Sequence, residues 1–316
     1  MHELSVITID CEYGGPEMAA AFLVLEDNAA AFVDNNTARA VPILLQSLEK
    51  AGLTPGHVQY LIVTHVHLDH AGGTSALLRE CPNAQVLCHA LAERHLINPA
   101  RLVQSSRLVY GEPVFTQLYG IIEPIDSHRV RVVRHGETIA LGGRTLTFLD
   151  TPGHARHHLS VFDSASRTAF TGDVFGLHYP WLQRGTRPFI MASSPPTDFD
   201  AEAATASVNA IMSYQPERIG VTHYGSVSDP PAAQEVLLRS IGDMEAVCQK
   251  AAQSSHPDEA LRGLCEDWVR EAMYELAVWC GVDLTPHEKA AIEKDILINA
   301  QGLALKAVKR RNSNRT

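Results

Sequence analysis

Three histidines and an aspartate stand within six residues in the stretch Thr64-His65-Val66-His67-Leu68-Asp69-His70-Ala71-Gly72-Gly73. Imidazole nitrogens and carboxylate oxygens are the donors a catalytic zinc accepts. The apolar run Tyr60-Leu61-Ile62-Val63 comes before them. Two glycines and then Thr74-Ser75-Ala76-Leu77-Leu78 come after. That order predicts a buried strand, a ligand-bearing loop and the start of a helix. With side chains alternating at period two, His65 and His67 face one side once the strand ends, while Asp69 and His70 lie past the turn, placed to serve a second metal. The plain alternative is a solvated histidine-rich loop, which demands nothing of the rest of the chain. A metal site demands further ligands.

Three later positions meet that demand. His154 follows Asp150-Thr151-Pro152-Gly153, Asp173 follows Thr171-Gly172, and His223 follows Thr222. Each comes just after a stretch that reads as a strand: 144–149, 168–171 and 218–221. Gathering of candidate ligands at strand ends is how a sheet-based enzyme assembles a site. The chain contains no Gly-x-Ser-x-Gly elbow, so a serine nucleophile is not expected.

The elements needed to hold these residues can be read in order. Strands are expected at 4–10 and in 20–34, the second region a hairpin turning at Asp27-Asn28. Asn35-Asn36-Thr37 offers a turn and a helix N-cap, and the helix shows Val41, Leu44, Leu45 and Leu48 on one face until Gly52 stops it. A helix around 72–80 and a strand at 84–88 complete a β-α-β pattern, which favours a layered α/β architecture. Residues 90–124 are divided by Pro99, Pro113 and Pro124 into short helical pieces, with an insertion at about 98–124. Strands return at 130–133 and 138–141, around the turn His135-Gly136-Glu137, and at 144–149, 159–163 and 168–171. A helix is expected at 199–214. After Pro230-Pro231, amphipathic helices are expected at 232–252, 257–280 and 286–309. The expected domains are therefore a catalytic part, 1–229, and a helical cap, 230–316.

Composition limits the partners. The 316-residue chain carries a net charge of −10, and its only basic run, Lys306 to Arg315, reads as a solvated end, so nucleic-acid binding is not expected. No apolar run approaches the roughly 20 residues that span a bilayer, and Met1-His2-Glu3-Leu4 does not open a signal peptide, which points to the cytoplasm. The six cysteines form no CxxC pair, and Cys248, Cys265 and Cys280 sit in helical patterns as core residues, so no disulfide framework is expected.

On His65-x-His67-x-Asp69-His70, followed by His154, Asp173 and His223, the chain resembles the metallo-β-lactamase fold superfamily over roughly residues 4–225. The resemblance implies an α/β fold, a four-layer αββα sandwich, here with a C-terminal three-helix appendage. It also implies a two-metal site, with His65, His67 and His154 on the first ion, Asp69, His70 and His223 on the second, and Asp173 bridging. The cofactors implied are two divalent ions, zinc first, with iron or manganese as substitutes. Asp173 and the Asp69-His70 pair look like the glyoxalase II branch, as does the helical C-terminal region. The insertion and the three-helix cap resemble a helix-capped subgroup of that branch more than glyoxalase II itself. Two departures stand out. Val33-Asp34-Asn35-Asn36 replaces an Asp-Thr-Gly-like turn, although Asn suits left-handed backbone. The basic residues that contact glutathione in glyoxalase II have no match.

The expected activity is binuclear metal-dependent hydrolysis of a small-molecule thioester or related ester. A hydroxide shared by two metals about 3.5–4 Å apart would attack the carbonyl. Asp173 orients it, and Asp69 handles a proton. The rivals are a lactonase, a phosphodiesterase, a mononuclear-iron oxidoreductase like persulfide dioxygenase, and a non-enzymatic ligand-sensing module. Homo-oligomer formation is left open. Among other polar residues, His157 and His158 read as supporting or surface residues, Tyr224 as packing or an oxyanion donor, and His178, Tyr179 and Trp181 as a pocket wall. Trp268 and Trp279 read as helix core.

Overall fold

The computed structural model describes residues 6–195 and 199–313, so the expected strand residues Leu4 and Ser5 and the basic Arg315 lie outside the described residues. The chain forms two compact units, each discontinuous in sequence. The first holds Met1–Asp150, His157–Gly172 and Tyr214–Ser228; the second holds Thr151–Arg156, Asp173–Ser213 and Asp229–Thr316.

The first unit is built on two six-stranded sheets. One runs β1 (Val6–Asp10), β2 (Ala20–Glu26), β3 (Ala29–Val33), β4 (Val58–Ile62), β5 (Gln85–Cys88) and β6 (Val130–Val132) in spatial order. The β2–β3 hairpin turns at Asp27, whose φ of 50° is the left-handed conformation that short polar residues tolerate. From β3 onward the neighbours are parallel. The unbroken apolar runs of β2 and β3 have a physical cause: both faces of this sheet are covered. Ala20, Phe22 and Val24 join the core between the sheets, while the alternating Ala21 and Leu23 join the core beneath the helices. That second core is closed by α1 (Val41–Lys50), α3 (Thr74–Glu80) and α4 (Ala90–Ile97), through Leu44, Leu48, Leu77 and Leu96. Between β4 and α3 lies α2 (Leu68–Ala71), a single turn.

The expected insertion is helical, with α5 (Ala100–Tyr110) and α6 (Glu112–Leu118) started at Pro99 and Pro113. Phe115 and Tyr119 are buried against Leu68 of the histidine-rich segment.

The turn at His135-Gly136-Glu137 does not close a hairpin. It carries the chain from β6 into the second sheet, which runs β12-β11-β10-β9-β8-β7. Its members are β7 (Thr138–Leu141), β8 (Arg144–Asp150), β9 (Leu159–Asp163), β10 (Thr168–Phe170), β11 (Arg218–Val221) and β12 (Gly225–Val227). Only β10 and β11 are parallel neighbours. Leu146, Phe148, Val161 and Phe170 face the first sheet. β8 is half-buried, and Arg144 lies on its inward side with Leu146 and Phe148. It is almost wholly buried, bonded to Asp163 on β9, to the Leu25 carbonyl and to Glu26.

The second unit is helical: α7 (Ala201–Ser213), α8 (Pro230–Gln253), α9 (Leu261–Trp279), α10 (Pro286–Ala291) and α11 (Glu293–Ser313). The helix expected at 286–309 is split. Thr285 and Glu288 form a capping box around Pro286, α10 ends at Ile292, and α11 starts afresh. On α11, Ile296, Ala300, Leu303 and Ala307 form the buried stripe that packs on α8 and α9. The basic run read as a solvated end is helical to Ser313 and paired. Arg310 meets Glu245, while Arg311 donates to the Ala251, Ala252 and Ser254 carbonyls and to Asp258. Trp268 and Trp279 are not core either. Both are half-buried under cations, Lys250 over Trp268 and the two guanidiniums of Arg187 and Arg239 over Trp279.

Candidate metal centre

In the first unit, β4 delivers Thr64 and His65 from the middle of the parallel strands β3, β4 and β5. His65 is fully buried, and its Nε2 lies 2.9 Å from Nδ1 of His67. His67 is the N-cap of α2, so the single helical turn carries Asp69 in its first residues and His70 in its last. The two glycines that follow are needed for close approach. A Cβ at Gly72 would meet the Leu68 carbonyl oxygen at 2.3 Å, and one at Gly73 would meet the Asn35 and Thr37 carbonyls at 2.8 Å. The loop after β3 closes on this turn, with Asn36 Nδ2 donating to the Asp69 carbonyl and the Asn35 N–H to the His70 carbonyl. Asp34 and Asn36 are both left-handed, with φ of 55°, so Asn does accept the turn at 33–36.

Asp69, His70 and His223 place ligand atoms all within 4.8 Å of one another. His223 Nε2 is 3.3 Å from an Asp69 carboxylate oxygen. Both imidazoles are oriented through their other nitrogen. His70 Nδ1 is 2.8 Å from Asp34 Oδ2, and His223 Nδ1 is 3.0 Å from the Met18 carbonyl. Pairing Nδ1 with an oxygen acceptor makes Nδ1 the protonated nitrogen and leaves Nε2 as the lone-pair donor, the arrangement found around metal-ligating histidines. The donor set therefore fits a divalent ion.

Asp34 was not singled out as a functional side chain by sequence reasoning. Fully buried, it accepts from the Thr64 N–H and hydroxyl and from the Thr222 hydroxyl, each at 2.9 Å, besides His70. Thr64 and Thr222 each immediately precede a candidate ligand. Both strand ends are thus tied to one carboxylate.

A family model of the metallo-beta-lactamase superfamily matches residues 14–223. The chain belongs to the metallo-beta-lactamase superfamily. The fold expected from the sequence, an αββα sandwich with a helical appendage, is that of this superfamily. The metallo-beta-lactamase fold-containing protein ST1585 of Sulfurisphaera tokodaii is 26% identical over 234 residues, 73% of this chain and 81% of that protein. Its crystal structure matches 95% of this chain and 98% of its own, with a TM-score of 0.65 at 22% identity, which shows the fold. Two relatives carry named activities. A coenzyme F420H(2) oxidase of Methanothermobacter thermautotrophicus is 28% identical over 52% of this chain and 36% of the oxidase. The acyl-coenzyme A thioesterase MBLAC2 of Gallus gallus is 29% identical over 38% of this chain and 44% of the thioesterase.

The remaining candidate ligands expected from the sequence, His154 and Asp173, lie in the second unit. His154 Nε2 and an Asp173 carboxylate oxygen are 3.4 Å apart, and both residues are buried. The His154 loop is tightly held. Gly153 has φ of +134°, and a Cβ there would meet the Ala204 backbone at 2.4 Å. The Asp200 N–H donates to the Gly153 carbonyl at 2.7 Å, and the Ser207 hydroxyl to the Pro152 carbonyl at 2.6 Å. His154 Nδ1 lies 3.4 Å from the Ser193 carbonyl. The neighbouring Ser194 is fixed by the buried Asn299 of α11 at 2.6 Å.

The other candidates fall into place within their own units. His158 is buried, with its ring 5.0 Å from that of His65, and His157 lies 5.8 Å from the His67 ring. Gly172 shows why space is tight there. With φ of +48°, a Cβ on it would lie 2.7 Å from both His158 Nε2 and Thr64 Oγ1. Tyr224 packs on the core between the sheets; burial, then Asp10 and Glu17, push its hydroxyl up to about 12. Tyr179 is buried, stacked on Trp181 and bonded through its hydroxyl to Asp295 of α11. Among the described residues the six cysteines are free and buried, and burial raises the thiol pKa at each, to about 12 at Cys11 and Cys88. No helix among the described residues is long and apolar enough to cross a membrane.

Proposed function

We propose that this chain is a binuclear metal-dependent hydrolase acting on a thioester or related ester of a small molecule. The observation that carries this reading is the Asp69–His70–His223 group, whose two imidazoles are already turned by Asp34 and the Met18 carbonyl to present Nε2. The remaining expected ligands are His65 and His67 in the first unit and His154 and Asp173 in the second. When bound, two divalent ions such as zinc supply an activated water and an electrophile for the carbonyl oxygen.

The chain's own residues do the rest. Asp34 holds the imidazole of His70 in one tautomer and keeps the Thr64 and Thr222 strand ends fixed while charge develops. Asp69, partly open to solvent, takes the proton of the attacking water and returns it to the leaving thiolate or alkoxide. Asp173, buried beside His154, orients the attacking oxygen. The thioesterase MBLAC2 among the relatives supports the ester class. The F420H(2) oxidase supports the rival class, an oxidoreductase.

The test is a side-by-side assay of metal-loaded protein against acyl thioesters, lactones and phosphodiesters, with dioxygen uptake recorded. Thioester cleavage without oxygen uptake, lost in His67→Ala, is the expected result. Oxygen uptake on one iron per chain, or cleavage untouched by His67→Ala, would overturn the reading.

A further inference from the structure

The segment 11–19 between β1 and β2 meets the candidate metal centre at one end and the insertion at the other. Its Met18 carbonyl is the acceptor 3.0 Å from His223 Nδ1, and the Ala20 N–H just after it donates to the Thr222 carbonyl at 2.7 Å. The placing of this segment therefore sets where the acceptor for His223 stands. Its base is closed by the Cys11 N–H donating to the Ala19 carbonyl at 2.9 Å. The Asp10 carboxylate accepts from the Glu12 and Glu17 N–H groups at 2.9 and 2.8 Å. Between those ties come Tyr13 and then Gly14 and Gly15, both with positive φ. The Tyr13 hydroxyl lies 2.9 Å from the hydroxyl of Tyr119.

Tyr119 directly follows α6 and is held there by its N–H donating to the Phe115 carbonyl at 2.9 Å. Its ring is buried and belongs to the cluster of Phe115 and Leu68. Leu68 stands between His67 and Asp69 and opens α2, the turn that carries Asp69 and His70. One residue of the insertion is thus tied to both segments that present the Asp69–His70–His223 group. Its ring sits in the cluster that covers the α2 turn, and its hydroxyl holds the segment bearing Met18. Packing against Leu68 asks only for a phenylalanine at position 119, because a buried hydroxyl costs free energy unless it is bonded. What the hydroxyl adds is its hold on Tyr13.

We propose that the Tyr13–Tyr119 hydroxyl pair is a positioning clasp for the ion held by Asp69, His70 and His223, acting through the Met18 carbonyl on His223. The clasp presupposes an ion on that group and is independent of the reaction assigned to it. Zinc affinity of the full chain, read by competition with a chromophoric chelator, tests it in the parent, Tyr13→Phe, Tyr119→Phe and the double variant. The affinity that His70→Ala removes identifies the ion concerned. Each single variant should weaken that ion about tenfold, the low end of what losing a ligand's orienting partner costs. The double variant should be no weaker than the singles, since all three lack the same bond. Stability separates positioning from simple packing. Each single variant removes the partner of one hydroxyl, whereas the double variant replaces both by apolar rings of the same shape, so its melting temperature should recover toward that of the parent. Its ion affinity should not recover. Unchanged affinity in the single variants, or affinity restored in the double variant, would overturn the clasp. A parent that binds no divalent ion would overturn it together with the metal reading, whereas an ion bound without ester cleavage would overturn only the proposed reaction.

Discussion

Asp34 sets the character of the centre at the scale of single residues. One buried carboxylate receives Thr64, His70 and Thr222, so it fixes the tautomer of a ligand and the ends of two strands from different sheets. Removing a partner that orients a ligand typically costs 10–100-fold in metal affinity. Asp34→Ala is therefore expected to weaken the ion held by Asp69, His70 and His223 by about that factor, read by competition with a chromophoric chelator, and to leave a folded protein. The ligands themselves were legible because their types and their places after strands need only local pattern. Asp34 was visible only as a departure in a turn. Its function depends on Thr64 and Thr222 arriving from strands that are 30 and 188 residues away, and no local pattern carries that.

At the scale of elements, the sequence was clearest where burial is periodic. The β4–loop–helix unit and the helix face of α8 lie where the sequence pattern puts them, whereas α9 buries Leu261, Cys265, Val269, Met273 and Leu276 instead of the face that carries Trp268 and Trp279. It was least clear where a short segment depends on distant partners. Strand β12 has three residues, and its pairing with β11 decides its existence. Arg144 opens an alternating strand, and it is buried because Asp163 and Glu26 come to meet it. Arg144→Ala would leave Asp163 buried with its cation gone, a change worth about 3–5 kcal/mol. Urea denaturation should show a loss of that size.

The start of α10 carries a pH dependence. Glu288 is bonded by Arg184 at 2.6 and 2.8 Å and closes the cap with Thr285, which together hold its carboxyl down at about 2 instead of the ordinary 4.5. A depressed carboxyl contributes stability that is complete above pH 4.5 and lost as the pH falls toward about 2. Melting temperatures of the parent and Glu288→Gln should differ at neutral pH and converge at the acid end.

At the scale of the molecule, the superfamily and its fold are established, and the first unit carries a His/Asp group that could hold a divalent ion. Within the first unit, both imidazoles of the Asp69–His70–His223 group are oriented, by Asp34 and by the Met18 carbonyl. Two separable ion sites are the central claim. Elemental analysis of the purified protein beside its His70→Ala variant tests it most directly. About two divalent ions per chain are predicted for the parent and about one for His70→Ala. One ion per chain in both proteins would contradict the account.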